Sequence, residues 1–211
     1  MLIVGASGFA KEILEIFHQL GELDNIAFYD DINIYQNAFM YKKFPILKNK
    51  NEVMSFFKDN TNEFTIGVGN PNLRYKLFEK FTMMGGKYSN SISPKANIGN
   101  YDIQIGDGAN ILSNATISNS VKVGIGCIIY YNSIITHDCE LGDFVELSPN
   151  AIILGRVKIG SFSHIGANAT ILPDVKIGNN VLIGAGSVVN IDIPDNSVAV
   201  GVPVRIIKKN I

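Results

Sequence analysis

Two rules of hydrophobic spacing run through this chain, and one replaces the other near Ser91. Before it, Leu2, Ile3 and Val4 form a short apolar run, Gly5-Ala6-Ser7-Gly8 a turn, and Ala10, Ile13, Leu14, Phe17 and Leu20 recur at helical spacing. Residues 26–29 predict a second strand ending in Asp30-Asp31, residues 51–58 a short helix, and residues 64–68 a third strand ending in Gly69-Asn70. Pro71 opens another helix, with Leu73, Leu77 and Phe81 on one face. Strands alternating with helices predict a small parallel sheet of the Rossmann-like kind. Ligands of such sheets sit beyond the carboxyl ends of the strands, which brings residues 5–9, Asp30-Asp31 and Gly69-Asn70 to one place.

From Ile105 every sixth residue is aliphatic: Ile105, Ile111, Ile117, Val123, Ile129, Ile135, Leu141, Leu147, Ile153, Ile159, Ile165, Ile171, Ile177, Ile183 and Val189. Two residues before each stands a small or β-branched one, from Ile103 and Ala109 through to Val181 and Ser187. A fixed six-residue period of this length predicts a β-solenoid, in which each turn of chain buries its apolar face by stacking on the next. Gly106, Gly124, Gly142, Gly160 and Gly178 recur every 18 residues, as one corner of a three-sided prism would. Cys127 and Cys139 fall in the small series, where Ala or Ser stand elsewhere, so both read as packing inside the prism. Function has to lie on positions outside the two rows.

Composition narrows the options. The 211 residues are 46% apolar and 18% charged with a net charge of -1, which excludes disorder and gives no basic field for nucleic acid or an anionic membrane surface. Two cysteines make neither a zinc quartet nor a disulfide framework. Apolar runs are far short of the ~20 residues of a membrane span, and no basic leader precedes Leu2, so a cytoplasmic location is expected.

The Ile-Gly hexads, the tail Val200-Gly201-Val202-Pro203, the start Gly5-Ala6-Ser7-Gly8-Phe9, and the pairs Asp30-Asp31 and Gly69-Asn70 together resemble the NeuD/PglD-like sugar O- and N-acyltransferase family. That resemblance implies an α/β domain over residues 1–90 that holds a nucleotide-sugar, followed over 91–211 by a left-handed parallel β-helix. It implies a homotrimer with acetyl-CoA at its subunit interfaces and no metal. The leading expectation is N-acetylation of the 4-amino group of a nucleotide-linked 4-amino-4,6-dideoxysugar for surface glycans or glycoproteins. O-acetylation of a sialic acid, a metal-binding β-helix and a non-catalytic solenoid stand as alternatives.

Acetyl transfer needs a base for the nucleophile's proton and donors for the oxyanion. Of three histidines, His18 lies off the apolar stripe of its helix and His164 is expected on an outer sheet face, lining the CoA groove or, as favoured here, facing solvent. His137 stands at a corner in Thr136-His137-Asp138-Cys139, the family's His-Asp or His-Glu before Cys, so the resemblance makes His137 the base and Asp138 its orienting carboxylate. Through the unbroken hexads the family's acetyl-CoA contacts fall on Glu146, Ala167 and Ala185, with Gly155 offering a backbone N–H to the thioester oxygen. Glu146 departs from the PglD-like pattern, which has His there, and Tyr130-Tyr131-Asn132 departs from its Asn-Thr near the expected acceptor. Pro173, Arg205, Lys208 and Lys209 would border the outer end of the CoA groove. In the first domain the resemblance assigns Ser7, Gly8 and Phe9 to the nucleotide-sugar, Asp30 and Asp31 to its base or ribose, and Gly69 to a backbone contact.

Overall fold

The computed structural model describes residues 1–210, and the chain divides into two compact units, Met1–Ser91 and Ile92–Ile211. In the first, β1 (Leu2–Val4) runs into α1 (Gly8–Leu20), and β2 (Ala27–Tyr29), β3 (Phe39–Met40) and β4 (Phe44–Leu47) follow. Helix α2 (Lys50–Asp59), β5 (Glu63–Ile66), α3 (Pro71–Met83) and β6 (Lys87–Tyr88) complete it. The sheet order is β3-β4-β2-β1-β5-β6, parallel except for the β3–β4 pair. The chain thus leaves β1 to one side for β2 and returns to the other for β5, so a crevice opens at the carboxyl end of β1.

Helices α1 and α3 end up differently from one another. Ala10, Ile13, Leu14 and Phe17 of α1 are buried as their spacing predicts. On α3 only Phe81 of the expected apolar face is fully buried, beside Arg74, whereas Leu73 is 42% exposed and turned to the crevice with Leu77. Strands β3, β4 and β6 leave no alternating signature: two have only two residues, and Pro45 interrupts the third.

The second unit is a three-sided β-helix built of two-residue strands. The first face carries Asn110–Ile111, Ile128–Ile129, Glu146–Leu147, His164–Ile165 and Leu182–Ile183. The second carries Thr116–Ile117, Ile134–Ile135, Ile152–Ile153, Thr170–Ile171 and Val188–Val189. Gln104–Ile105, Lys122–Val123, Glu140–Leu141, Lys158–Ile159 and Lys176–Ile177 make the third. Strands pair in parallel with the residue 18 positions on, as with Leu141 and Ile159. Both predicted rows lie in one core, Cys127 and Cys139 included, and both cysteines are free and buried.

Each corner has one left-handed residue, repeated every 18 positions: Asp102, Ser120, Asp138, Arg156 and Asp174 share one edge, with φ between 53° and 67°. Asn and Asp tolerate this conformation best, and Asn114, Asn132, Asn150 and Asn168 fill a second edge. At the third edge the coils approach so closely that a Cβ on Gly124 would lie 2.5 Å from the Gly142 carbonyl carbon, which excludes any side chain. There Asp143 Oδ1 accepts from Ile125 N (2.9 Å), Ser161 Oγ from Asp143 N (3.0 Å), Asn179 Oδ1 from Ser161 N (2.8 Å) and Asp195 Oδ1 from Asn179 N (2.7 Å). This ladder satisfies corner N–H groups that the strands cannot reach.

The coil outruns the hexads at both ends. Asn97–Ile98 pairs with Thr116–Ile117 at an offset of 19, because one extra residue separates Ile98 from Ile105. At the other end Leu182 pairs with Val198 and Ile183 with Ala199, an offset of 16. After a cis peptide at Val202-Pro203, Arg205–Lys209 turns back antiparallel to Ser197–Val200. Among the described residues no helix is long and apolar enough to cross a membrane.

Leu147 is fully buried in the central coil, so Leu147→Ala leaves a cavity that the stacked coils above and below cannot collapse. A loss of about 2–5 kcal/mol is expected in equilibrium urea unfolding, with a native-like far-UV spectrum in water.

Candidate functional site

The crevice of the first unit is a cavity of about 360 Å³. Two glycines make it. Gly5, at φ 110°, hands its N–H to Tyr29 O (2.8 Å), and a Cβ there would lie 2.8 Å from Gly67 O. A Cβ on Gly67 would lie 2.6 Å from Ala10 Cα, so β5 approaches α1 only as glycine. Ser7, Phe9, Asp30, Asp31 and Gly69 line the cavity, as expected, between apolar Val68, Leu73 and Leu77. Gly8 does not: it is the exposed first residue of α1, a Cβ there would stand in open space, and only its main chain is available to a ligand.

Asp30 lines the cavity and also organises its own loop. Its Oδ1 accepts from Ile32 N (3.0 Å) and Asn33 N (2.9 Å), and its Oδ2 from Asn33 Nδ2 (2.8 Å) and Tyr35 OH (2.5 Å). Both oxygens are engaged in building the loop after β2. Lys48 straps that loop, donating to Asp30 O (2.8 Å) and Asn33 O (2.6 Å) with its ammonium 4.5 Å from the Tyr35 ring centroid. Burial works to raise the Asp30 carboxyl, but the bonds from Asn33, Tyr35 and Ile32 outweigh it and hold it below the ordinary carboxylate value.

Asp31 is the carboxylate at the cavity with room to spare. Its Oδ2 accepts from Tyr29 OH (2.7 Å) and Lys80 Nζ (3.1 Å), and Lys80 also donates to Tyr29 OH (2.9 Å). Burial opposes the charge, yet these bonds keep Asp31 below and Lys80 above their ordinary values. Tyr35, Lys48 and Lys80 carry no sequence signal, since loop and helix bring them in from afar.

In the β-helix, His137 and Asp138 stand on the edge between the second and third faces. The left-handed backbone at Asp138 (φ 60°) turns its carboxylate back to the ring, where Oδ2 meets His137 Nδ1 at 2.7 Å. An ionised carboxylate only accepts, so Nδ1 carries the proton and Nε2 presents its lone pair. One coil on, Gly155 is the seat of the imidazole: a Cβ there would lie 2.7 Å from His137 Cε1 and 2.9 Å from Nε2. The Gly155 carbonyl accepts from Asp174 N (3.0 Å), while its N–H, beside the ring, makes no hydrogen bond among the described residues. Cys139 points inward, its thiol on Leu154 O (3.2 Å) and pushed up in pKa by burial, so it is packing and not a nucleophile.

Glu146, Ala167 and Ala185 are elsewhere. Ala167 and Ala185 lie 18 residues apart on the edge between the first and second faces, and Glu146 is on the first face, buried. That edge is six residues from the His137 edge along the chain, at most roughly 20 Å of extended backbone. Tyr130, Tyr131 and Asn132 also sit on the alanine edge, one strand before the His137 corner. Pro173 shares the His137 edge, whereas Arg205, Lys208 and Lys209 lie exposed on the last strand. His164 lies on the outer face as expected, 35% exposed, with its Nε2 2.7 Å from Ser148 Oγ and 3.5 Å from Glu146 Oε1. Among the described residues no group of three or more His, Cys, Asp or Glu is placed to hold a metal ion.

Comparison with known proteins bears on both units. The family model for the PglD N-terminal domain matches residues 1–81, and that for the bacterial transferase hexapeptide (six repeats) matches 138–172 and 156–190. Perosamine N-acetyltransferase from Caulobacter crescentus, solved with CoA and GDP-perosamine, is 27% identical with a TM-score of 0.91 over 99% of this chain and 96% of that one. The acetyltransferase domain of PglB from Neisseria gonorrhoeae is 28% identical over 98% of both chains (TM-score 0.86), and it has also been solved with acetyl coenzyme A. WeeI from Acinetobacter baumannii is 26% identical over 98% of both chains (TM-score 0.87). No curated protein matches.

Asp30→Ala removes the acceptor of four donors and is expected to cost about 1–3 kcal/mol. Because the folded-state pKa of Asp30 is depressed, its contribution is present above the unfolded carboxylate value and is lost as pH falls through the folded one. Hydrogen exchange at the Ile32 and Asn33 amides, corrected for intrinsic rates, should therefore be slow at neutral pH, lose protection below the usual carboxylate range, and be fast at all pH in the variant.

Proposed function

Because the chain is a NeuD/PglD-like sugar acetyltransferase of the hexapeptide-repeat class, we propose that it transfers acetyl from acetyl-CoA to the 4-amino group of a nucleotide-linked 4-amino-4,6-dideoxysugar, with His137 as general base. The carrying observation is the His137 ring, held by Asp138 at Nδ1, seated on Gly155 and offering Nε2 beside an unused N–H. Two relatives support the substrates: one was solved with CoA and GDP-perosamine, a nucleotide-linked amino sugar, the other with acetyl coenzyme A. We place the product in surface-glycan or glycoprotein biosynthesis and the reaction in the cytoplasm.

In this mechanism His137 Nε2 takes a proton from the sugar amine as its nitrogen bonds to the thioester carbonyl carbon. Asp138 stabilises the imidazolium, and the Gly155 N–H donates to the carbonyl oxygen as it gains negative charge. When the C–S bond breaks, the imidazolium returns its proton to the CoA sulfur. The base is thereby regenerated and no metal takes part. The first-unit cavity is the proposed seat of the nucleotide, with Ser7, Phe9, the Gly8 main chain, Asp31 and Gly69 around it and Asp30 shaping the loop.

A closed trimer explains why the site residues occupy two edges. The second face, which lies between those edges, presents Ile134, Ile152 and Val188 outward, while the third presents Lys122, Glu140, Lys158 and Lys176. Three prisms with their second faces toward a threefold axis bring the His137 edge of each copy against the Ala167 and Ala185 edge of the next. The N–H groups of both alanines, which make no hydrogen bond among the described residues, then border the same groove as His137 and can bond the amide carbonyls of the pantetheine arm.

His137→Ala is expected to lower turnover by about 10²–10⁴ with the fold intact, read as CoA thiol release with UDP-, dTDP- and GDP-linked amino sugars. Full turnover in that variant would remove His137 as base, and a wild-type protein that binds no acetyl-CoA would end the whole reading. Gly155→Ala should keep the melting temperature and lose at least about tenfold in kcat, because the new methyl occupies the imidazole's seat. Ile152→Asp should sediment as a monomer and be inactive; an active monomer would sink the shared site.

A further inference from the structure

The edge that carries His137 also carries a column of charges, and the column is ordered. Asp138, Arg156 and Asp174 are 18 residues apart, all left-handed (φ 60°, 63° and 67°), and so project from equivalent points of three successive coils. Adjacent coils are roughly 4.8 Å apart. The Arg156 guanidinium therefore has a carboxylate one coil below it and another one coil above. It takes the upper one: Nε donates to Asp174 Oδ1 (2.6 Å) and a terminal nitrogen to Asp174 Oδ2 (2.8 Å), a two-bond fork in which both carboxylate oxygens are used. Asp138 is left with His137 Nδ1, at 2.7 Å.

We propose that Asp174 is a positioning residue for the reaction: by holding Arg156 one coil away, it reserves the Asp138 carboxylate for the imidazole. The inference rests on the reading of His137 as the base. Arg156 and Asp138 do sense one another, since the guanidinium's pKa is raised first by the bond to Asp174 and further by the Asp138 charge. A planar guanidinium with five donors competes well against one imidazole N–H for a carboxylate. Once released, Arg156 would pair with Asp138, free Nδ1 to rotate, and place a cation where the imidazolium has to form.

Other groups around the ring do not substitute for this arrangement. On the coil below stand Asn119 and Ser120, both uncharged, with Asp102 one coil further. Gly155 carries no charge, Cys139 points inward, and the flanking Ile134, Ile152 and Thr170 of the second face are neutral. On the third face Glu140 and Lys158 pair with each other at 3.3 Å. The ordering Asp138, Arg156, Asp174 is thus what decides which carboxylate the guanidinium takes.

The test is the pH dependence of kcat/KM for acetyl transfer in Asp174→Ala, Arg156→Ala and the double variant, with Asp174→Asn as a shape-preserving second version and melting curves for all. In both Asp174 variants the acid limb should move to lower pH by about half to one unit, because the base loses its carboxylate. Their kcat at pH 7 should fall about five- to tenfold with both KM values little changed. Arg156→Ala should keep the wild-type limb, and the double variant should return to it, since without the guanidinium nothing competes for Asp138. An unmoved limb in both Asp174 variants, or a double variant that stays displaced, overturns the proposal. His137→Ala is measured alongside: full turnover there defeats the base assignment itself, whereas an inactive His137→Ala beside a wild-type Asp174→Ala defeats only the role of Asp174.

Discussion

Everything in the second unit depends on one constraint: each coil must lay its strands on the coil beneath, parallel and in register, so that main-chain hydrogen bonds and the aliphatic rows close together. A residue's compass direction then follows from its number modulo 18, and its height from the number of whole coils before it. That is why Asp138, Arg156 and Asp174 form a column, and why Gly155 lies against the His137 ring although 18 residues separate them. The corner conformation matters as much as the register. A left-handed residue directly after His137 turns the Asp138 carboxylate back onto the imidazole, and the same bend without an acid, at Ser120, holds no such pair.

This constraint also determined what the amino-acid sequence disclosed. Ile105 to Val189 could be assigned to the core by counting in sixes, and both cysteines were placed inside by the same count. Counting failed where the period slips, at the extra residue before Ile105 and the shortened last turn, because those coils still stack but no longer at an offset of 18. Closeness along the chain in a prism means the next edge, not the same one, which is how Tyr130, Tyr131 and Asn132 stand to His137.

The first unit was less transparent. Its strands and helices were visible in outline, and of the turn glycines Gly5 proved to be a steric requirement, since a Cβ there would meet Gly67, whereas Gly8 did not. The loop-building role of Asp30 was not readable, because the four donors to its carboxylate come from a loop with no periodicity. The partners of His164 were hidden for a related reason. Its partners Ser148 and Glu146 lie 16 and 18 residues earlier, adjacent only because the coil returns.

The reversed strand Arg205–Lys209 has a consequence for the molecule's finite size. A β-helix is a template for itself: the last coil of any stack exposes the same row of main-chain donors and acceptors that bound the coil before it. Here the final rung runs the opposite way to those beneath and carries Arg205, Lys208 and Lys209 at its rim. A further parallel coil, from this chain or from another molecule, meets a strand of the wrong polarity and a line of positive charge. On the first face, addition of another parallel coil along the prism axis is thereby opposed.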